Sequence, residues 1–247
     1  MKKAIIIIFS PVLLLGINST DIFKKANNHA ENSEFLEAIN QYEYLIDEGF
    51  ANGNLYYNLG NSYYRTNQIG YALWAYYSAQ RLIPRDPDLL HNIKVAQAKC
   101  IDRIEFPKSL FIFDFLIKIE NSVRIVELNI LGSILFFMIS LLLLGKNFDF
   151  LSGYLINYVI NSCFILFLLV NSLAIRKYIN EIKENYGVVI SNSVSVFSGP
   201  KENQNSVLFL VNEGLKVKLN NYQDKWVEVE LIDGKKGWVN IWSVKEI

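Results

Sequence analysis

Few side chains in this sequence suit bond-making chemistry, and their spacing does not assemble it. The two histidines, His29 and His91, and the two cysteines, Cys100 and Cys163, form none of the short intervals that hold a zinc ion. Neither histidine is near a plausible nucleophile, and neither a nucleophile elbow nor a glycine-rich phosphate loop occurs. Both cysteines read as apolar fillers. The expectation is a protein that is not an enzyme and holds no metal or cofactor. What remains is recognition chemistry. Asn27, Tyr57, Asn61, Tyr64 and Arg65 offer amides, phenols and a guanidinium, the groups that anchor protein interfaces. Tyr222 and Trp242 offer the same near the C-terminus. Lys and Arg total 24 against 24 Asp and Glu, with no basic stripe, so nucleic acid is excluded as a partner.

The first group needs helices to position it. Tyr56-x-x-Leu59-Gly60-x-x-Tyr63, then Ala72-x-x-x-Tyr76, Ala79 and Pro84, places one apolar face on each of two helices. Gly60 and Ala72 are small where the helices cross closely, Asn67-Gln68-Ile69-Gly70 makes the turn, and Pro84 stops the second helix. A weaker copy lies 34 residues earlier, the tetratricopeptide (TPR) repeat length. There Ile22 matches Tyr56, Ala26 matches Gly60, Ala38 matches Ala72 and Tyr42 matches Tyr76. Asp86-Pro87 opens a closing helix over Asp88–Ile104, with Leu89, Leu90, Ile93 and Ala96 on one stripe. The pattern resembles a TPR array of about two repeats plus a cap, covering residues 21–104. Such arrays bind peptides in the groove lined by the first helix of each repeat. The face opposite the packed stripe carries Asn27, Tyr57, Asn61, Tyr64 and Arg65. Only Lys99 and Arg65 are available to a basic clamp for a C-terminal carboxylate.

Three apolar blocks interrupt this amphipathic pattern. Met1-Lys2-Lys3 followed by Ala4–Ile17 has the build of an export signal, expected over residues 1–20, with no clear small-x-small cleavage triplet. After a linker at 105–122, Ile125–Leu144 and Leu155–Ile175 read as a transmembrane helical hairpin over 123–177, making the lipid bilayer a partner. Asn157 and Asn161, four apart on one helix face, are expected to hydrogen-bond the other helix, and Asn171 to serve the same packing. A polar pathway would require ionisable groups in mid-membrane, and there are none. The loop Gly145–Gly153 carries one basic residue, Lys146, while Arg176, Lys177 and Lys183 flank the other side. That distribution opposes an exported N-terminus under the positive-inside rule, but the first apolar segment usually dominates. Both soluble parts are therefore placed outside, in the periplasm, at a bacterial inner membrane.

From Val188 the period changes to two. Short runs at Val188–Ile190, Val194–Phe197, Val207–Val211, Lys216–Asn220, Trp226–Leu231 and Gly237–Ile241 are separated by Ser198-Gly199-Pro200, Asn212-Glu213-Gly214, Asn220-Asn221 and Asp233-Gly234. They predict a small barrel over 188–247. Val194-x-Val196-x-Ser198-Gly199-Pro200, Glu213-Gly214-x-x-Val217, Trp226-Val227-x-Val229 and Asp233-Gly234-x-x-Gly237-Trp238-Val239 resemble bacterial SH3 domains in order. That resemblance implies binding of peptides or of peptidoglycan stems. Trp226 and Trp238 are expected to fill the barrel core, leaving Tyr222 and Trp242 as its ligand face.

The whole order, multidomain α + β with signal, TPR α-solenoid, two-helix transmembrane hairpin and small SH3-like β-barrel, resembles the BatE family of Bacteroides aerotolerance proteins. The segments that carry it are Leu55–Tyr64, Pro84–Asn92 and Leu231-x-Asp233-Gly234-x-x-Gly237-Trp238. The resemblance implies a protein–protein interaction scaffold for stress tolerance in the cell envelope. Its implied partners are membrane proteins with von Willebrand factor A domains and a MoxR-type AAA+ ATPase. An envelope sensor that grips peptidoglycan through the SH3-like domain is the alternative.

Overall fold

The computed structural model describes residues 19–102, 122–148, 150, 153–183 and 185–247. The apolar run Ala4–Ile17 and almost all of the linker at 105–122 lie outside the described residues. What is described forms two compact units. Residues up to 102 fold together with Asn185–Ile247, and the apolar helices form the second unit.

The first unit opens with five helices: α1 (residues 19–31), α2 (Phe35–Asp47), α3 (Gly53–Arg65), α4 (Ile69–Leu82) and α5 (Pro87–Gln97). Local signals fix their ends. Asn52 caps α3 by accepting from the Leu55 N–H at 2.9 Å, and Asp86 caps α5 by accepting from Leu89 at 2.9 Å, with Pro87 in the first turn. The turns recur at the repeat interval. Ser33 (φ 65°) and Asn67 (φ 60°) both adopt the left-handed conformation. Glu34 N–H donates to His29 O, and Gln68 N–H donates to Tyr63 O in the same way. The last helix is shorter than Asp88–Ile104. It ends at Gln97, and Asp102 instead accepts from Asn212 in the sheet, from the backbone N–H at 2.6 Å and from Nδ2 at 2.9 Å.

Helix α4 is buried on nearly every side, from Ile69 through Ala79. One face packs on α3 and α5, and a second lies against the sheet. Seven antiparallel strands follow: β1 (Asn185–Val189), β2 (Ser193–Phe197), β3 (Val207–Asn212), β4 (Lys216–Gln223), β5 (Trp226–Glu230), β6 (Lys236–Asn240) and β7 (Val244–Glu246), in the order β3-β2-β6-β5-β4-β1-β7. Strand β7 was not anticipated. Its three residues are too short for a visible alternation, and pairing with β1 holds them in place. Asn220-Asn221 is not a turn but an irregularity within β4. The chain reverses at Asp224 (φ 52°) and Lys225, between the paired Gln223 and Trp226.

Strand β1 joins the two halves of this unit. Val188 belongs to the helical core and its neighbour Val189 to the barrel core, as alternation along a strand requires. Gly70 shows how closely they approach. A Cβ there would lie 2.7 Å from Val189 O and 2.9 Å from Ile190 Cα, and its N–H donates to Glu213 Oε2 at 3.1 Å. Gly70 lies in the first turn of α4 and not in the connection before it, and glycine there serves this contact. Trp74 Nε1 donates to Glu246 O (2.7 Å), and Arg81 Nη1 to Ile247 O (2.6 Å). Lys245 lies 3.7 Å from the centre of the Trp74 ring.

The second unit is a helix pair, α6 (Ile125–Asn147) and α7 (Tyr154–Lys183). Each is long and apolar enough to cross a membrane. Leu128 and Leu135 pack on Val170 and Ala174, and Gly132 leaves room for the Asn171 amide. Asn157 accepts from Lys146 Nζ at 2.7 Å. The expectation fails for Asn161, which is exposed on the face of α7 turned away from α6.

Candidate functional site

The helical array carries a groove of about 560 Å³ between α1, α3 and α5. Four of the five expected residues, Asn27, Asn61, Tyr64 and Arg65, line it. Tyr57 does not, but its hydroxyl accepts from Asn92 Nδ2 at 3.3 Å, and Asn92 is in the wall.

Two identical polar sets build the floor. In the first, Asn27 Oδ1 accepts from Tyr42 Oη at 2.6 Å and from Asn58 Nδ2 at 3.0 Å. In the second, Asn61 Oδ1 accepts from Tyr76 Oη at 2.8 Å and from Asn92 Nδ2 at 2.9 Å. The separations agree: 15 residues from each asparagine to its tyrosine, and 31 to its second asparagine. Each central amide spends its oxygen on two donors. Its nitrogen, with two hydrogens, is left for water or a ligand. The phenols are held neutral: burial pushes Tyr42 up to about 12 and raises Tyr76 as well.

Charge enters only at the edge of the groove. The Arg65 guanidinium sits 5.0 Å from the Phe35 ring centre, and Lys99 Nζ sits 4.1 Å from that of Tyr64. Glu31 adds one carboxylate to the lining. Amide donors along the floor with cations held at the edge suit an extended peptide backbone, hydrogen bonded through its carbonyls. Asn58 and Asn92 were missed from the sequence, although advancing Asn58 by one repeat lands on Asn92.

The barrel places its candidates differently. Trp242 is 76% exposed on the turn between β6 and β7, and Tyr222 is exposed near the end of β4. No described ring contact joins them. Trp226 and Trp238 do not fill the core. That core is Val194, Val196, Val211, Val217, Val227, Val229 and Val239 with their neighbours. Trp226 shares its side of β5 with Glu228 and Glu230, and Trp238 lies opposite Glu228 across the β5–β6 pair. Both are half-buried on the outer face, where Trp226 meets Phe197 edge-on at 5.5 Å and Trp238 pairs with Phe197 across strands.

Among the described residues, no group of three or more His, Cys, Asp or Glu is placed to hold a metal ion. Cys100 and Cys163 are free thiols in different units.

Comparison with protein families matches residues 191–245 to the bacterial SH3 domain, a stretch that takes in β2 to β7 and leaves β1 just before it. Comparison with curated proteins gives no match. Residues 191–245 of the C-terminal sheet thus match a bacterial SH3 domain, and β1 and β7 pack the sheet against the helical array.

Proposed function

We propose that this chain is a membrane-anchored, non-catalytic scaffold of the bacterial envelope, whose helical array is a TPR module that holds an extended segment of a partner protein. The duplicated Asn–Tyr–Asn set along the groove carries this reading. It offers two free amide groups at the repeat interval, and nothing in the groove activates a nucleophile or moves a proton. The apolar helices cross the inner membrane as a hairpin inserted between α5 and β1. The shared packing of Val188, Gly70 and Trp74 supports placing array and SH3 domain in one compartment, the periplasm, since a joint of this kind forms only when both are on the same side. Partners of the aerotolerance type, von Willebrand factor A domain proteins and a MoxR-type ATPase assembly, fit this architecture.

Co-purification from detergent-solubilised membranes tests the scaffold. Intact protein retains a stoichiometric protein partner, and Asn27→Leu/Asn61→Leu loses it while remaining folded by circular dichroism. Retention undiminished by the double change would sink the reading.

The outer face of Trp226 and Trp238, backed by the buried Phe197, favours a second reading, in which the SH3 domain grips peptidoglycan stems. Full-length protein would then bind isolated sacculi, and Trp226→Ala with Trp238→Ala would abolish that binding more than Tyr222→Ala with Trp242→Ala. Sacculi that retain none of the intact chain exclude this role.

A further inference from the structure

Several polar side chains in the helix pair are satisfied locally. Ser133 and Ser140 donate to their own helix backbone at 2.8 Å each. Asn157 takes Lys146, and Asn171 donates to Phe167 O at 2.8 Å. Asn129 is exposed one turn from the start of α6, close to the Arg124–Glu127 ion pair and within reach of interfacial water. Asn161 differs. It lies about 10 Å along α7 from Tyr154 at the helical rise, it is exposed, and among the described residues none is hydrogen-bonded to its amide. In hydrocarbon an unpaired amide costs several kcal/mol.

Its surroundings have a regular order. Tyr158, Asn161, Ile165, Leu168, Ser172 and Ile175 follow one another at alternating intervals of three and four, and all are exposed. This is the a/d spacing of a helix seam, on the face of α7 opposite the one that packs on α6. An asparagine at an a or d position of such a seam fixes register and partner number.

We propose, given that the hairpin crosses the membrane, that α7 pairs along this seam with the α7 of a second copy of this chain, the two Asn161 amides hydrogen-bonded to each other. A second copy is the occupant for two reasons. An asparagine amide carries both a donor and an acceptor, so it is complementary to itself. Two copies inserted in the same direction run their α7 helices parallel and bring Asn161 to the same depth in each.

The test uses the full-length chain in its membrane, with Cys100→Ala and Cys163→Ala as background. Single substitutions Ile165→Cys or Leu168→Cys on the seam, and Leu166→Cys or Leu169→Cys beside it, are oxidised and resolved without reductant. All four parent side chains are exposed, so exposure alone predicts equal cross-linking. The proposal expects disulfide dimers from positions 165 and 168 and few from 166 and 169. Asn161→Leu should raise the dimer dissociation constant about three- to twentyfold, the equivalent of ~0.6–1.7 kcal/mol for an interhelical bond in lipid, and Asn161→Gln should retain pairing. Equal cross-linking at all four positions, none at any, or capture of a different protein overturns it. Alkaline carbonate extraction separates the two failures. Release of the chain defeats the membrane reading and the pairing together, whereas retention without seam-specific dimers defeats the pairing alone.

Discussion

Asparagines serve the helical array and the membrane-type helix pair in opposite ways. In the array Asn27 and Asn61 sit at the centre of closed sets, each oxygen bound by a tyrosine and another asparagine of the same chain. In α7, Asn161 faces outward, and among the described residues none is hydrogen-bonded to its amide. Water can satisfy the spare groups of the array groove, so those groups tolerate an empty site and remain ready for a ligand. Lipid offers no such substitute. On the proposed function, the same amide is a conditional binding group in one unit and a standing requirement for a partner in the other.

The largest effect expected comes from removing a tyrosine that organises the array. Tyr76 is 1% exposed and fills the space that Gly60 leaves, where a Cβ would come within 2.5 Å of its ring. Tyr76→Ala should cost about 3–5 kcal/mol. In thermal unfolding of the detergent-solubilised chain, that lowers the midpoint by on the order of 10 °C. Because β1 belongs to both cores, tryptophan fluorescence from the SH3 domain should follow the same shifted transition as helical dichroism. Two separate transitions would show that array and barrel are independent.

Alkaline pH should erode that unit next. Burial first, then the carboxylates of Glu213 and Asp102, push the Cys100 thiol from 9.0 up to about 11. Burial likewise pushes Tyr42 from 10.0 up to about 12, and raises Tyr63 and Tyr76. Each group ionises more readily unfolded than folded. Its contribution is complete below the unfolded value and disappears as pH rises through the folded one. Stability in denaturant melts should be level up to about pH 9, then fall progressively through about pH 11. A flat profile across that range would contradict the burial of these groups.

A smaller, more local effect distinguishes the amide from the ring. Asn61→Leu leaves the Tyr76 hydroxyl and Asn92 Nδ2 without their shared acceptor, at about 1–3 kcal/mol. Tyr76→Phe removes one donor and keeps the ring, at about 1 kcal/mol. If partner retention depends on the amide nitrogen, Asn61→Leu abolishes it and Tyr76→Phe weakens it only slightly. Equal losses for the two would mean that groove shape, not the amide, recognises the partner.

How far these features could be read in the sequence depended on the range of the interaction. Helix positions followed from Tyr56, Leu59, Gly60 and Tyr63, because spacing along one helix is a local property. Strand positions followed from the alternation of valines. The outward placement of Trp226 and Trp238 was also present in the pattern, since each has the parity of a charged or polar neighbour, Glu228 or Lys236. The expectation that Trp226 and Trp238 fill the core gives way to this parity. The joint between array and barrel was not legible. Trp74 and Glu246 are 172 residues apart, and Gly70 and Glu213 are 143 apart, and no local pattern records such a contact. Asn161 was misplaced for a related reason. A four-residue spacing puts Asn157 and Asn161 on the same broad face, but α6 contacts only an adjacent stripe, and only Asn157 is reached, by the long Lys146 side chain.

That last pair gives the smallest and most direct check on the comparison. Lys146 and Asn157 meet at the loop end of the hairpin, both exposed. Exposed charged contacts contribute about 0–1 kcal/mol, because water or headgroups replace either partner. Lys146→Met should therefore change the thermal midpoint of the solubilised chain by no more than about 2 °C and leave cross-linking at positions 165 and 168 unaltered. Asn161→Leu, one helical turn further along α7, should leave the midpoint of the first unit unchanged and reduce those cross-links. The two asparagines differ in depth and not in chemistry. Loss of α7 pairing in Lys146→Met, or its persistence in Asn161→Leu, would show that depth is not what gives the second amide its partner.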